Sequence, residues 1–214
     1  METLRPFLIF DFDGTIGDTG GLILGVADRL AADKGRGPLS PEEMDVFVSE
    51  GALAFIRSQK IRPWELPGLF SRGRKYFSEV SGKVSLVPGI KEALKALKDD
   101  GFRMGIVTSN AEETVRNIIS RNDIDVFDFI LSEKGIFGKG KIIKKAMKTY
   151  GISPKYAVYI GDELRDVDAA RYAGLKMVAV LWGLNSAKVF SNKKVDTVVK
   201  RTEDLKGIIE GLSI

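Results

Sequence analysis

The 214-residue sequence contains no cysteine and no histidine. Without cysteine the fold has no disulfide bonds, and no thiolate is present to act as a nucleophile. Without histidine there is no Ser-His-Asp or Cys-His triad and no histidine-liganded zinc site. Acid–base and metal chemistry must therefore use carboxylates, hydroxyls and amines, and a metal bound by such oxygen ligands is a hard cation.

Long apolar runs and a strong net charge are also missing. No apolar run approaches the ~20 residues of a membrane span, and 33 Lys and Arg against 29 Asp and Glu leave a net charge of only +4. The first residues lack the pattern of a signal peptide. We therefore expect a soluble, cytoplasmic protein with no membrane and no nucleic-acid partner. The sequence leaves the oligomeric state open.

Short apolar runs alternate with helical patterns from residue 88 onward. Runs that are apolar throughout are typical of buried parallel strands. Their alternation with helices predicts an α/β protein with a doubly wound parallel sheet. The predicted strands are 7–10, 104–107, 129–131, 157–160 and 177–181, and the predicted helices are 88–97, 142–150 and 167–173.

About 90 residues separate the first two predicted strands, although a crossover between parallel strands needs only about a dozen. This stretch shows helical patterns over 20–34, 41–59 and 63–80 and no strand-like alternation. We predict an inserted α-helical domain over 17–84 and an α/β core formed by 1–16 and 85–214.

Two carboxylates, Asp11 and Asp13, follow the first predicted strand and precede Gly14 and Thr15. Ligands of a parallel α/β sheet bind at the carboxyl ends of its strands. Two neighbouring carboxylates repel each other, which costs free energy unless a ligand uses or neutralises them. The alternative, that an Asp caps the following helix, accounts for one of the two acids but not for both. The pair is therefore predicted to be functional.

The predicted strand over 157–160 is followed by Gly161-Asp162, with Asp166 four residues further on. If this strand lies beside the first, Asp162 joins Asp11 and Asp13, and three carboxylates in one place require a cation. Ligation by oxygen alone predicts Mg²⁺, which usually keeps several waters and accepts substrate phosphate. The alternative is that Asp162 caps the following helix.

Hydroxyl, amide and amine groups complete the candidate residues. Thr108 can donate to a phosphoryl oxygen, whereas Ser109 and Asn110 are candidates for phosphate binding or for capping a helix. Lys139 and Lys141 lie in a glycine-rich stretch before a predicted helix. Lys139 stands between two glycines and is the preferred functional ammonium, with Lys141 as the alternative.

These stretches resemble, in order, the four signature motifs of the haloacid dehalogenase superfamily. The resemblance covers almost the whole chain and includes an insertion that looks like a C1-type helical cap. Two later runs, Asp168 to Gly174 and Val180 to Gly183, also resemble the phosphoglycolate phosphatase-like branch. The motif residues are Asp11-Phe12-Asp13-Gly14-Thr15, Thr108, Lys139 or Lys141, and Gly161-Asp162 with Asp166.

The resemblance implies a Mg²⁺-dependent phosphatase that hydrolyses a small phosphate monoester, such as phosphoglycolate or another phosphorylated metabolite. Asp11 resembles the nucleophile that forms an aspartyl phosphate, and Asp13 resembles the general acid and base. Thr108 resembles the hydroxyl that orients the phosphoryl group, and Lys139 the lysine that offsets negative charge there. The implied metal ligands are Asp11, the backbone carbonyl of Asp13, and Asp162; Asp166 is implied to hold waters or a basic group beside them.

One feature departs from the pattern of the family. The lysine motif of this branch commonly reads Lys-Pro, whereas Gly140 follows Lys139 here. Dehalogenases of the superfamily lack the second Asp, so Asp13 favours phosphoryl transfer.

Other activities of the superfamily were also considered. A phosphonatase would use a lysine of the cap, but none of Lys34, Lys60 and Lys75 lies in a sequence pattern that is diagnostic of this role. A phosphomutase or other phosphotransferase, and a non-enzymatic signalling domain that accepts a phosphoryl group, are the alternatives.

Overall fold

The computed structural model of the chain describes residues 5–133, 138–183, 187–190 and 195–212. Its described strands are β1 (Phe7–Phe10), β2 (Gly17–Asp18), β3 (Ser85–Leu86), β4 (Met104–Thr108), β5 (Phe127–Ser132), β6 (Ala157–Gly161), β7 (Lys176–Val180) and β8 (Thr197–Val199). Its described helices are α1 (Gly20–Ala32), α2 (Pro41–Glu50), α3 (Ala52–Ser58), α4 (Leu66–Val80), α5 (Ile90–Asp99), α6 (Glu112–Arg121), α7 (Lys139–Tyr150), α8 (Leu164–Ala173) and α9 (Leu205–Glu210). Short 3₁₀ turns cover Pro63–Glu65, Ser81–Lys83, Pro154–Tyr156, Ala187–Phe190 and Thr202–Asp204.

A parallel sheet of six described strands forms the centre of the molecule, in the order β5-β4-β1-β6-β7-β8. Residues of β1 alternate between two apolar layers. Phe10 belongs to the layer that packs under α5 and α6, whereas Ile9 belongs to the layer under α7 and α8. Because both faces are covered, the strands are apolar throughout. The predicted doubly wound α/β fold is confirmed.

A two-stranded antiparallel ribbon marks where the chain leaves the sheet and returns to it. Gly17 of β2 pairs with Leu86 of β3, and Asp18 pairs with Ser85. Residues 19–84 between these strands, here called the helical segment, contain α1 to α4 and a small apolar cluster around Leu39, Phe47 and Phe55. The predicted domain boundaries at 16/17 and 84/85 stay a prediction.

The helix predicted over 41–59 is instead two helices, α2 and α3. Gly51 separates them with φ +88°, a backbone conformation that L-residues rarely adopt and that ends the first helix. In the described ranges, no helix combines the length and apolarity that crossing a membrane requires. A cytoplasmic location stays a prediction.

Candidate active site

The carboxyl ends of three neighbouring strands bring the candidate residues together. Strand β1 lies between β4 and β6, and Phe10 is in register with Ile106 and Ile160. Asp11 therefore follows β1 at the same edge of the sheet at which Thr108 ends β4 and Asp162 follows β6. The backbone N–H of Asp11 extends the register by donating to the carbonyl of Ile160 at 2.8 Å.

Lys139 lies between two of these acids. Its Nζ is 2.9 Å from Asp11 Oδ2 and 2.7 Å from Asp166 Oδ1, and all three side chains are at most 5% exposed. Lys139 reaches this position as the first residue of α7. Lys141, two residues further along that helix, is exposed to solvent.

Asp11, Asp162 and Asp166 form a group in which one carboxylate oxygen of each lies within 4.8 Å of the others. Burial raises the pKa of Asp11 well above its usual value, and the charge of Asp166 adds to this effect while Lys139 opposes it. Burial, with the charges of Glu163 and Asp166, likewise raises the pKa of Asp162. The three crowded carboxylates are a donor set that fits a hard divalent cation, because such a cation stabilises their ionised forms.

Glycines allow the chain to approach this group closely. Gly14 has φ +67°, and a Cβ atom there would lie 2.2 Å from Asp162 Oδ2. Gly183, from the loop after β7, would make an equally close contact with the same oxygen. Side chains at these two positions would occupy the space that Asp162 needs.

Asp13 stands slightly apart from the acid group. Its Oδ2 accepts a 2.6 Å hydrogen bond from Asn110 Nδ2, and its Oδ1 is buried without a partner among the described residues. Burial raises the pKa of Asp13 to about 6, although the nearby Thr19 hydroxyl works in the opposite direction. A carboxyl with this pKa is able to hold or release a proton near neutral pH. Its predicted ligation of a metal through the backbone carbonyl stays a prediction.

The loop after β4 supplies further polar groups beside Asp13. Thr108 is fully buried, and its Oγ1 accepts from the backbone N–H of Asn110 at 3.0 Å. The Ser109 hydroxyl is buried and has no partner in the described part of the chain. Helix α6 begins after Ala111, so neither Ser109 nor Asn110 occupies the capping position. Likewise Glu163, rather than Asp162, is the capping residue of α8.

Three side chains near the site were not predicted to have a role. Thr15 donates from Oγ1 to Asp162 Oδ1 at 3.3 Å, and its place in the motif was the only signal. Arg165 pairs with Glu163 at 2.8 Å. Burial opposes ionisation of Glu163, but this pairing lowers its pKa. Glu133 follows β5 and accepts from the Gly138 N–H. No motif in the sequence marked this residue, because the position of β5 in the sheet is what brings it near the site.

A cavity of about 250 Å³ opens on Asp13, Ser109 and Asn110 and continues into the helical segment. The polar groups of the strand ends therefore form one end of the cavity. The inner side of the helical segment forms the rest.

Comparisons with known proteins identify the family and relatives of the chain. Residues 8–180 match the sequence model of the haloacid dehalogenase-like hydrolases. The chain is 27% identical over 199 residues to the phosphoglycolate phosphatase of Synechococcus elongatus, covering 92% of this chain and 94% of that one. It is 29% identical over 188 residues to the phosphoglycolate phosphatase of Xylella fastidiosa, covering 84% and 81% of the two chains.

The same fold occurs in a crystal structure described as a predicted phosphatase from Clostridium acetobutylicum. The two structures superpose with a TM-score of 0.84 over 97% of this chain and 100% of the other, at 23% identity. At this identity the likeness shows the fold alone.

Proposed function

Because the chain belongs to the haloacid dehalogenase-like hydrolase family, as the sequence predicted, we propose that it is a Mg²⁺-dependent phosphatase acting on a small phosphate monoester. The predicted enzyme class, a phosphatase, agrees with the names of its relatives. The observation that carries the proposal is the buried contact of Lys139 with both Asp11 and Asp166 beside Asp162.

Asp11 is the proposed nucleophile. Its carboxylate attacks the phosphorus atom, the bond from phosphorus to the ester oxygen breaks, and an aspartyl phosphate forms. Asp13 gives its proton to the departing alcohol oxygen and then takes a proton from a water molecule. That water attacks the aspartyl phosphate, which releases inorganic phosphate and restores Asp11.

The surrounding groups hold the phosphoryl group and balance its charge. Thr108, Ser109 and Asn110 are proposed to bind the phosphoryl oxygens. The buried hydroxyl of Ser109, which has no partner among the residues that the structure describes, supports this placement. The Lys139 ammonium offsets the charge of the nucleophile and of the phosphoryl group, which an anionic nucleophile would otherwise repel.

The proposed Mg²⁺ ligands are Asp11, Asp162 and the backbone carbonyl of Asp13. The bound ion would neutralise charge on the phosphoryl oxygens. Asp166 supports the site by holding Lys139 at 2.7 Å. The helical segment would form a cap, with 17–84 as the cap domain and 1–16 together with 85–214 as the core domain.

The test is hydrolysis of 4-nitrophenyl phosphate by the full chain with and without Mg²⁺. We expect turnover that requires Mg²⁺ and that Asp11→Asn reduces by about three orders of magnitude or more, because the nucleophile is lost. Asp18→Asn is the matched control, since Asp18 is exposed on β2, and it is expected to keep wild-type turnover.

Turnover that survives Asp11→Asn would overturn the proposed nucleophile. Absence of turnover in the wild type, together with a stable phosphoryl group on Asp11 after incubation with acetyl phosphate, would instead favour a phosphomutase or a phospho-accepting signalling domain.

A further inference from the structure

The cavity beside the site changes character along its length. At the strand-end edge the cavity is lined by the polar residues Asp13, Ser109 and Asn110. Asp13 Oδ1 and the Ser109 hydroxyl are buried there and have no partner among the described residues. Unpaired buried polar atoms at this end indicate where a polar part of a ligand binds.

The remainder of the wall is mainly apolar and comes from the helical segment. Helix α1 contributes aliphatic side chains, and α4 contributes Phe70 and Phe77 on the facing side. Several of these apolar residues are partly buried, so they border the cavity while they also pack against apolar neighbours. The aliphatic residues from α1 that are partly buried are Ile23, Val26 and Leu30.

Four cationic side chains also line the cavity, and each already has a partner. Arg165 pairs with Glu163, and Arg74 donates to the backbone carbonyl of Glu133. The other two pairs belong to the helical segment, Lys34 with Glu65 at 2.8 Å and Arg36 with Glu43 at 2.5 Å. Within the described chain, three of these cations are therefore paired with a carboxylate, whereas Arg74 is bonded to a neutral carbonyl and feels only the nearby charge of Glu133.

From this arrangement we propose that the substrate is a phosphate monoester whose alcohol part is apolar and at least as large as a phenyl ring. This inference rests on the proposed phosphatase function. An apolar protein cavity of about 150 Å³ holds benzene, and this cavity measures about 250 Å³. A phosphoryl group at the polar end would place the alcohol part against the side chains of α1 and α4.

The same arrangement disfavours an ester that carries a second charge, such as phosphoglycolate, the substrate named for the relatives. Its carboxylate would lose water against apolar side chains, or it would have to displace a carboxylate or carbonyl from an existing pair. Burying an unpaired charge is far more costly than burying an apolar group.

The first experiment compares kcat/KM of the full chain with Mg²⁺ for phenyl phosphate and for 2-phosphoglycolate. We expect phenyl phosphate to be preferred by about tenfold or more. An equal or greater kcat/KM for 2-phosphoglycolate, in an enzyme that hydrolyses both esters, would overturn the inference and leave the proposed phosphatase function intact.

Wall variants link this preference to the cavity. Phe70→Ala removes an aromatic ring from the wall and is expected to lower the phenyl phosphate to 2-phosphoglycolate ratio by about tenfold. Val26→Thr, a nearly isosteric change that adds a hydroxyl, is expected to lower the ratio by a smaller factor. It also covers the case in which Phe70→Ala fails to fold.

Trp64→Ala is the matched control, because Trp64 is an aromatic residue of the helical segment that is 71% exposed and lies outside the cavity wall. It is expected to leave the ratio unchanged. A ratio that is insensitive to both wall variants, or equally sensitive to the Trp64 control, would overturn the assignment of the cavity.

Binding of non-hydrolysable phosphonates separates the two proposals. Isothermal titration with benzylphosphonate and with 3-phosphonopropionate, which replace the ester oxygen of the two esters by a methylene, requires no turnover. Tighter binding of benzylphosphonate that Phe70→Ala weakens would support the apolar cavity even if no ester were hydrolysed, and in that case the phosphatase proposal alone would fail. Tighter binding of 3-phosphonopropionate would overturn the inference.

Discussion

The strand-end site and the helical segment use charged residues in opposite ways. In the site, Lys139 and Asp166 are buried, with side chains 5% and 0% exposed, and Lys139 contacts two carboxylates. In the helical segment, Arg29 and Glu79 form a pair with side chains 49% and 41% exposed. Exposed pairs contribute at most about 1 kcal/mol because water screens them, whereas breaking a buried pair leaves a charge with no compensation.

From this difference we infer that the two regions carry different parts of the proposed function. Buried, partnered charges hold reacting groups in fixed positions, as phosphoryl transfer requires. The charged side chains of the helical segment lie mainly at the surface or in pairs, and its apolar side chains line the cavity. In the proposed function the site carries out the reaction, and the helical segment selects the ester.

The largest expected effect comes from removing the buried ammonium. Lys139→Met leaves Asp11 and Asp166 without their shared cation, so we expect the free energy of unfolding without added Mg²⁺ to fall by about 3–5 kcal/mol. Phosphatase turnover is expected to be lost. Urea unfolding and hydrolysis of 4-nitrophenyl phosphate measure the two effects.

Lys141→Met is the matched control on the same helix. Because Lys141 is exposed, the free energy of unfolding is expected to change by no more than about 0.5 kcal/mol, with turnover retained. Turnover that survives Lys139→Met but is abolished by Lys141→Met would assign the functional ammonium to Lys141.

A smaller effect is expected from a methyl group added beside the acid group. Gly14→Ala combines a positive φ with a Cβ atom 2.2 Å from Asp162 Oδ2, so we expect a loss of about 2–4 kcal/mol in the free energy of unfolding. Displacement of Asp162 is expected to weaken Mg²⁺ activation. Thermal unfolding and a Mg²⁺ titration of turnover provide the measurements.

The same substitution in the helical segment is expected to have the opposite sign. Gly25 lies within α1, and a Cβ atom there would meet no atom within 4 Å. Gly25→Ala should therefore raise the free energy of unfolding by about 0.5–1 kcal/mol. Equal losses in the free energy of unfolding from Gly14→Ala and Gly25→Ala would contradict the expectation that the site is closely packed at Gly14 and the helical segment open at Gly25.

The smallest expected effects concern the start of α2. Ser40 Oγ accepts from the Glu43 N–H at 3.2 Å, and Glu43 Oε2 accepts from the Ser40 N–H at 3.0 Å. Ser40→Ala is expected to lower the free energy of unfolding by about 0.5–2 kcal/mol without changing turnover at saturating substrate. Chemical denaturation at pH 7 measures the loss, and an unchanged midpoint would contradict the capping role.

The Glu43 carboxylate adds a pH dependence to this cap. The backbone hydrogen bond from Ser40, aided by Arg36 and Gln59, lowers the pKa of Glu43 from 4.5 to about 2. Its stabilisation is therefore present above about pH 4.5 and lost as the pH falls towards 2. The difference in unfolding midpoint between wild type and Glu43→Gln should shrink between pH 6 and pH 3. A constant difference would show that the ionised form is not what the cap requires.

Much of the sheet was predictable because a buried parallel strand leaves a local pattern. The apolar run at 7–10 and its polar ending predicted β1 and placed Asp11 and Asp13 at its end. The predicted neighbourhood of the first strand and the strand before Asp162 is also found, as the pairing of β1 with β6. In contrast, β8 has only three residues and went unpredicted, and the break at Gly51 depends on one backbone angle that a helical pattern does not report.

The family resemblance, most of the sheet and the acids at strand ends could be predicted from local patterns, since each rests on residues close together in the chain. Three-dimensional packing was needed to show that Lys139 rather than Lys141 contacts Asp11 and Asp166, because residues two apart on a helix point in different directions and packing selects one. It also decided the polarity of the cavity. The cavity is formed where helices from 19–84 face the ends of strands that are distant in sequence. A local sequence pattern cannot predict which side chains such distant contacts bring together.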